Sequence, residues 1–85
     1  NPSFGYTAKH RFEGGLVSVG VDVKHSIIEN VSFSGDFFYS GDITHLTDSL
    51  KGAKYTPSDV FKIVSSVGGF HKIDSKELSE LICGG

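Results

Sequence analysis

The segment SGDFFYSGDI, residues 34–43, marks the place where the sequence changes from one kind of secondary structure to another. Three consecutive aromatic residues, Phe37, Phe38 and Tyr39, lie between two Gly-Asp pairs. Aromatic side chains favour β-strands, whereas glycine and aspartate favour turns and the starts of helices. The segment is therefore predicted to connect a strand to a helix.

Before this junction, hydrophobic residues recur at every second position, as they do in half-buried strands. Gly14-Gly15 and the turn at residues 24–26 divide the region into three strands, which short connections would pair as an antiparallel meander. The residues predicted to face the core are Phe4, Tyr6, Ala8, His10, Phe12, Val17, Val19, Val21, Val23, Ile27, Val31 and Phe33.

After the junction, the hydrophobic spacing becomes helical, with residues at i, i+3, i+4 and i+7. Asp42, Thr56 and Asp74 are each placed to cap the start of a helix. Pro57 suits the first helical position, and Gly52 suits the end of the first helix. The predicted fold is α+β, with a three-stranded antiparallel sheet packed against about three C-terminal helices.

The composition predicts one small folded domain over residues 1–85, with 38% hydrophobic residues and a net charge of −2. The scattered basic residues argue against a nucleic-acid-binding face, and no apolar run reaches the roughly 20 residues that span a bilayer. One cysteine and no visible signal peptide favour the cytoplasm. The chain contains no methionine and begins Asn1-Pro2, which suggests a processed chain or a domain of a longer protein.

The sequence offers no self-sufficient active site, and we predict no catalytic, cofactor-binding or metal-binding residue in this chain. No two histidines have the His-x3-His spacing that places two metal ligands on one helical face. Cys83 lies at the end of a predicted helix, where the helix dipole disfavours a thiolate, so a structural role is favoured. The four histidines, expected at surface or partly buried positions, are His10, His25, His45 and His71.

The three aromatic residues of the junction cannot all face one core, because neighbouring strand residues point in opposite directions. Some of them must meet a second surface, which is either a helix of the same chain or a partner domain. Asp36 would then cap a turn or form a pair across that contact. The candidate docking or hinge residues are Gly35, Asp36, Phe37, Phe38 and Gly41.

Six short motifs follow one another through nearly the whole chain. They are Asn1-Pro2-x-Phe4, Arg11-Phe12-x-Gly14-Gly15-Leu16-Val17, Val21-Asp22-Val23-Lys24, Ile28 through Phe33, Gly35-Asp36-Phe37-Phe38 and Leu50-Lys51-Gly52-Ala53-Lys54-Tyr55. In this order they resemble the C-terminal accessory domain of lipoate–protein ligases. His25-Ser26 stands where that family commonly has glycine, so these residues must avoid or tolerate a positive φ.

The resemblance implies a non-catalytic role, because the family's catalytic residues lie in a large domain that has no counterpart here. That domain is expected to bind ATP, lipoate and Mg and to form lipoyl-AMP. The lipoyl group then passes to a lysine of an acceptor, such as the E2 subunit of a 2-oxoacid dehydrogenase or the glycine-cleavage H protein. The accessory domain is expected to act as a lid for the activation step, as a separate subunit or as the C-terminal part of one polypeptide.

A second interpretation is a free-standing adaptor that binds another protein and has no part in catalysis. A small independent enzyme is disfavoured, because no nucleophile, base and orienting group occur together. A ligase domain on the same chain or in a neighbouring gene would distinguish the accessory domain from the adaptor.

Overall fold

The chain forms a sheet first and helices afterwards, which confirms the predicted α+β fold. The computed structural model describes residues 4–84, so Asn1-Pro2 of the first motif lies outside the described residues. No helix in this range is long and apolar enough to cross a membrane. The elements in chain order are β1 (Tyr6–Phe12), β2 (Gly15–Lys24), β3 (Ile27–Phe37), α1 (Ile43–Leu50), α2 (Pro57–Val67) and α3 (Ser75–Ile82).

β2 is the central strand and pairs antiparallel with both neighbours. Its residues Val17, Val19 and Val21 are at most 2% exposed, because they point to the inner face that the helices cover. The alternate residues point to the opposite side, here called the outer face. By strand alternation and register the outer face comprises Thr7, Lys9, Arg11, Leu16, Ser18, Gly20, Ser32, Ser34 and Asp36.

The third strand departs from the predicted pattern near its start. The pairing of β3 with β2 shifts between Asp22 and Val23, which leaves Glu29 as the extra residue of a β-bulge. Ile28, at 1% exposure, consequently takes the core position that was predicted for Ile27. Val23 was also predicted to be buried, but it is 38% exposed at this end of the sheet.

The turn between β2 and β3 consists of His25 and Ser26, with φ angles of 53° and 66°. Two consecutive positive φ values in a two-residue loop are typical of a type I′ turn, which favours asparagine and glycine. Both residues therefore tolerate the left-handed conformation, as the sequence required, at a cost of roughly 1 kcal/mol each.

Each helix begins after the cap residue predicted for it. The three capping bonds run from the Thr44 N–H to Asp42 (2.9 Å), from the Asp59 N–H to Thr56 (3.3 Å) and from the Glu77 N–H to Asp74 (3.0 Å). Pro57 occupies the first turn of α2 as expected. Gly52 follows α1 with a φ of 88°, which fits its predicted role in ending that helix.

All three helices contribute side chains to one core on the inner face of the sheet. Ser79 is the one buried polar side chain among the described residues, and its hydroxyl donates to the Lys76 carbonyl oxygen at 2.7 Å. The core residues are Phe12, Val17, Val19, Val21, Ile28, Val31, Leu46, Leu50, Val60, Val64, Ile73, Leu78 and Ile82.

The segment before β1 runs differently from the prediction, which placed Phe4 on the inner face. A Cβ atom built on Gly20 would lie 2.6 Å from the Phe4 ring, so this ring covers Gly20 on the outer face. The Gly5 N–H donates to the Asp22 carboxylate at 2.8 Å and fixes the next residue. The Phe4 side chain thus packs on the outer face just before β1.

Candidate functional site

Residues 34–43 begin inside β3 and end at the first residue of α1. Gly35 pairs with Val17 and has a φ of 121°, and any Cβ there would collide with the Leu16 carbonyl oxygen. Glycine is thus required at this position by the close approach of β2. This contact explains the glycine within the sheet, and its candidate role in docking or as a hinge stays a prediction. Asp36 follows on the outer face and is exposed.

The three aromatic residues divide between the core and the solvent. The rings of Phe37 and Tyr39 both pack against Phe70, which lies between α2 and α3, with centroid distances of 5.7 and 4.9 Å. Both are partly buried against the core. The same chain therefore covers the face on which Phe37 and Tyr39 lie, and Phe38 points to the opposite side. Phe37 therefore packs against the core and also lines the depression beside Phe38, and it stays a candidate docking residue.

Phe38 is 64% exposed, the highest value among the large hydrophobic residues that the structure describes as exposed. Its nearest aromatic neighbour is His71, whose ring meets the Phe38 ring edge-on at 6.1 Å. Aromatic side chains are enriched in the cores of protein–protein interfaces. The candidate docking site is therefore centred on Phe38.

The backbone around Phe38 is held in place on the side of the α2–α3 connection. The Phe38 carbonyl oxygen accepts from the His71 N–H at 3.3 Å, and the Ser40 N–H donates to the Gly69 carbonyl oxygen at 2.8 Å. Between these bonds Tyr39 lies so close to Gly69 that a Cβ there would be 2.6 Å from its ring. Phe38 is thus presented by a preorganised backbone, which lowers the entropy cost of docking.

The sequence did not identify residues 69–71 as part of this site. The Gly68-Gly69 pair marks a backbone break after α2, and both glycines have positive φ values of 68° and 96°. The two glycines indicated where the chain turns. They could not indicate that residues 69–71 pair with the distant segment around Phe38.

Negative charge lies beside the exposed ring. Asp42 caps α1, and the hydrogen bond from the Thr44 backbone N–H is the main reason that its pKa is lowered, with a smaller contribution from the nearby His45. Burial, followed by the charge of Asp42, raises the pKa of the Tyr39 hydroxyl. Gly41 precedes the cap with a φ of 100° and has open space where a Cβ would stand. The site therefore presents an aromatic ring flanked in sequence by the carboxylates Asp36 and Asp42.

The histidines do not assemble into a metal site. All four are exposed, including His10, which was predicted to turn inward and instead packs its ring against Phe12 at 4.8 Å. Within residues 4–84, no group of three or more His, Cys, Asp or Glu side chains is arranged to hold a metal ion.

Cys83 lies at the C-terminal cap of α3, as the sequence indicated. It is half-buried, and this burial raises the pKa of its thiol to about 11. A thiol with so high a pKa remains protonated at neutral pH and is a poor nucleophile. The structural role predicted for Cys83 is consistent with this environment.

Comparisons with known proteins agree with the motifs. The family model described as the bacterial lipoate protein ligase C-terminus matches residues 1–82. Lipoate–protein ligase 1 of Staphylococcus aureus is 32% identical over 82 residues, which are 96% of this chain and 25% of that protein. The lipoate–protein ligase of Streptococcus pyogenes is 31% identical over 84 residues, and this match covers 95% of this chain and 25% of that protein.

A solved structure has the same fold. It belongs to an archaeal lipoylation system from Thermoplasma acidophilum, described as a bipartite lipoate protein ligase and its E2 lipoyl domain. The TM-score is 0.73 at 18% identity, and the match covers 91% of this chain and 92% of the other. At this identity the likeness shows a common fold.

The fold and the site define an α+β domain with an exposed aromatic side chain, Phe38, and with no group of three or more metal-ligating side chains among residues 4–84. With a family match over residues 1–82, the chain belongs to the family of bacterial lipoate protein ligase C-terminal domains. It spans about a quarter of the length of the curated relatives that it matches.

Proposed function

We propose that this chain is the accessory domain of a lipoate–protein ligase and supports the activation of lipoate by a separate catalytic part. The observation that carries this proposal is the family match over residues 1–82, in a chain that corresponds to 25% of its relatives. The remaining three-quarters of such a ligase would hold the catalytic residues. The relatives of which this chain matches a quarter support one polypeptide, and the bipartite archaeal ligase supports two.

In the proposed reaction, the catalytic part binds lipoate, ATP and Mg and joins the lipoate carboxylate to the α-phosphate of ATP. Lipoyl-AMP forms and pyrophosphate leaves. The lysine of a lipoyl-acceptor domain then attacks the acyl carbon, and AMP leaves. Acceptors of this kind are the E2 subunit of 2-oxoacid dehydrogenases and the glycine-cleavage H protein. The reaction is proposed to take place in the cytoplasm, since the one cysteine of this chain has no disulfide partner within it.

The contribution proposed for this domain is to dock on the catalytic part while lipoyl-AMP forms. An acyl-adenylate is destroyed by water, and a domain that closes over the site excludes water from it. Phe38 would enter an apolar pocket of the catalytic part, and Asp36 and Asp42 favour basic groups around that pocket. Because the Phe38 backbone is already fixed by Gly69 and His71, little order has to be gained on docking.

The proposal separates the two half-reactions, and this separation can be tested. The catalytic part is prepared with and without this chain and is given an acceptor domain together with either lipoate plus ATP or preformed lipoyl-AMP. We expect lipoylation from lipoate and ATP to require this chain, and lipoylation from lipoyl-AMP to proceed without it. Equal dependence of both reactions on the chain would contradict a specific role in activation. Independence of both would favour the adaptor interpretation.

A further inference from the structure

We propose that the outer face of the sheet is the surface that the catalytic part of the ligase covers. The proposal rests on the proposed function and names the side of the domain on which the partner lies. Two features of the structure support it, namely the packing of Phe4 before β1 and the position of Phe38.

The first observation is that Phe4, just before β1, packs its ring on the outer face. The Phe4 ring lies on Gly20, whose missing side chain leaves room for it at the centre of the middle strand. The bond from the Gly5 N–H to Asp22 (2.8 Å) then anchors the turn into β1. The incoming segment is thus fixed at two points on the side of the sheet away from the helices.

The relatives show what lies before this segment in proteins of the family. They match this chain over 25% of their length, and the family model describes that quarter as the C-terminus. The other three-quarters therefore precede the segment that corresponds to Phe4. A catalytic part connected in this way reaches the outer face first, because the inner face is already filled by the three helices.

The second observation is that the outer face is continuous with the candidate docking site. Ser34 lines both the depression over the outer face and the depression beside Phe38. One partner seated on the outer face would therefore also reach Phe38. Ser18 and Ser32 next to Ser34 are short enough for a close approach of another backbone.

The charges at the two edges of the outer face suggest how the partner is oriented. Lys9 pairs with Ser18, and Arg11 pairs with Leu16, so both basic residues lie on the β1 edge. Asp36 also pairs with Leu16, from the β3 edge. A partner surface with acidic groups towards β1 and basic groups towards β3 would fit this arrangement.

The test uses two single-cysteine variants, S34C and S66C, each made with Cys83→Ala so that this chain carries no other thiol, and the label is counted on this chain. Both serines are exposed, but Ser34 lies on the outer face and Ser66 lies on α2. Maleimide labelling is measured at neutral pH in the chain alone and in the complete ligase formed with the catalytic part. We expect S34C to react about tenfold more slowly in the ligase, because labelling then requires the dissociated fraction. S66C should react equally in both.

Equal labelling of S34C in the chain and in an assembled, active ligase would overturn the outer-face proposal and leave the proposed function intact. Failure of the two parts to assemble, seen by size-exclusion chromatography, would overturn both. A second variant, Phe4→Ala with S34C, isolates the role of the incoming segment. We expect it to fold with unchanged circular dichroism and to recover part of the S34C labelling rate in the ligase. An unchanged slow labelling rate of S34C would show that Phe4 does not contribute to the covering of the outer face.

Discussion

Phe37 and Phe38 are neighbours with opposite environments, so truncating each to alanine separates folding from docking. Phe37 is partly buried and packs on Phe70 at 5.7 Å. Truncation of a buried Phe costs about 3–5 kcal/mol, and a half-buried ring should cost about 2–3 kcal/mol of unfolding free energy. Phe38 is 64% exposed. About a third of the Phe38 side chain is therefore buried. Full burial of a Phe side chain contributes about 1.5–3 kcal/mol, so removing this third should cost about 0.5–1 kcal/mol of unfolding free energy.

The difference is large enough to measure by thermal unfolding followed by circular dichroism. In a domain of 85 residues, 1 kcal/mol shifts the midpoint by about 4–8 °C. We therefore expect Phe37→Ala to lower Tm by roughly 8–24 °C and Phe38→Ala by roughly 2–8 °C. Similar losses for both variants would refute the division of the aromatics between core and surface.

The second prediction concerns the affinity of this domain for the catalytic part. Phe38→Ala should weaken binding to the catalytic part by about 2 kcal/mol, or roughly thirtyfold in Kd by calorimetry, as for other aromatic anchors. Phe61→Ala is the matched control, because Phe61 is also exposed, at 39%, but lies on α2. Equal losses of affinity for the two variants, or no loss for Phe38→Ala, would contradict the assignment of Phe38 as the anchor.

Three further predictions concern backbone strain and the thiol. Ser26→Gly should raise the unfolding free energy by about 0.5–1 kcal/mol in urea titrations, because a φ of 66° strains serine; a loss of stability would argue against the strained turn. Gly41→Ala should cost about 1 kcal/mol from its positive φ alone, whereas Gly35→Ala should cost more than about 2 kcal/mol, because its Cβ also collides with Leu16; equal losses would contradict the close approach of β2. The alkylation rate of Cys83 should rise with pH with a midpoint near 11 in the folded chain. In urea the midpoint should lie near 9.0, the ordinary pKa of the thiol. Since the folded pKa is raised, stability owed to this thiol is present below pH 9 and declines towards pH 11; a folded midpoint near 9.0 would contradict its burial.

The sequence predicted the helix starts well because their determinants are local. Each cap bonds to a backbone N–H two or three residues away, as Thr56 does with Asp59. Such a bond depends little on the rest of the fold, so residue type and spacing were sufficient.

The start of β3 could not be predicted, because its register depends on a distant loop. Ile27 and Ile28 are both apolar, and either could face the core in an ordinary strand. The Ile28 N–H donates to the Ala53 carbonyl oxygen at 2.9 Å, and the Ile28 carbonyl oxygen accepts from the Gly52 N–H at 2.8 Å. These bonds fix Ile28 next to the loop after α1, and the bulge at Glu29 accommodates them.

The candidate site was predicted in part for the same reason. The alternation of strand residues showed that Phe37, Phe38 and Tyr39 need two surfaces. It could not show that Phe70 would cover Phe37 and Tyr39, because that contact joins the junction to the α2–α3 connection. The exposure of Phe38 followed only once that contact was known.

The most direct test of the proposed function is pyrophosphate release from ATP by the catalytic part in the presence of lipoate. The rate is measured without this chain, with the chain, and with its Phe38→Ala variant at a concentration below saturation. The account predicts release only when the chain is present, with a lower rate for the variant. Equal release with and without the chain, from a catalytic part shown to be folded, would contradict the central claim.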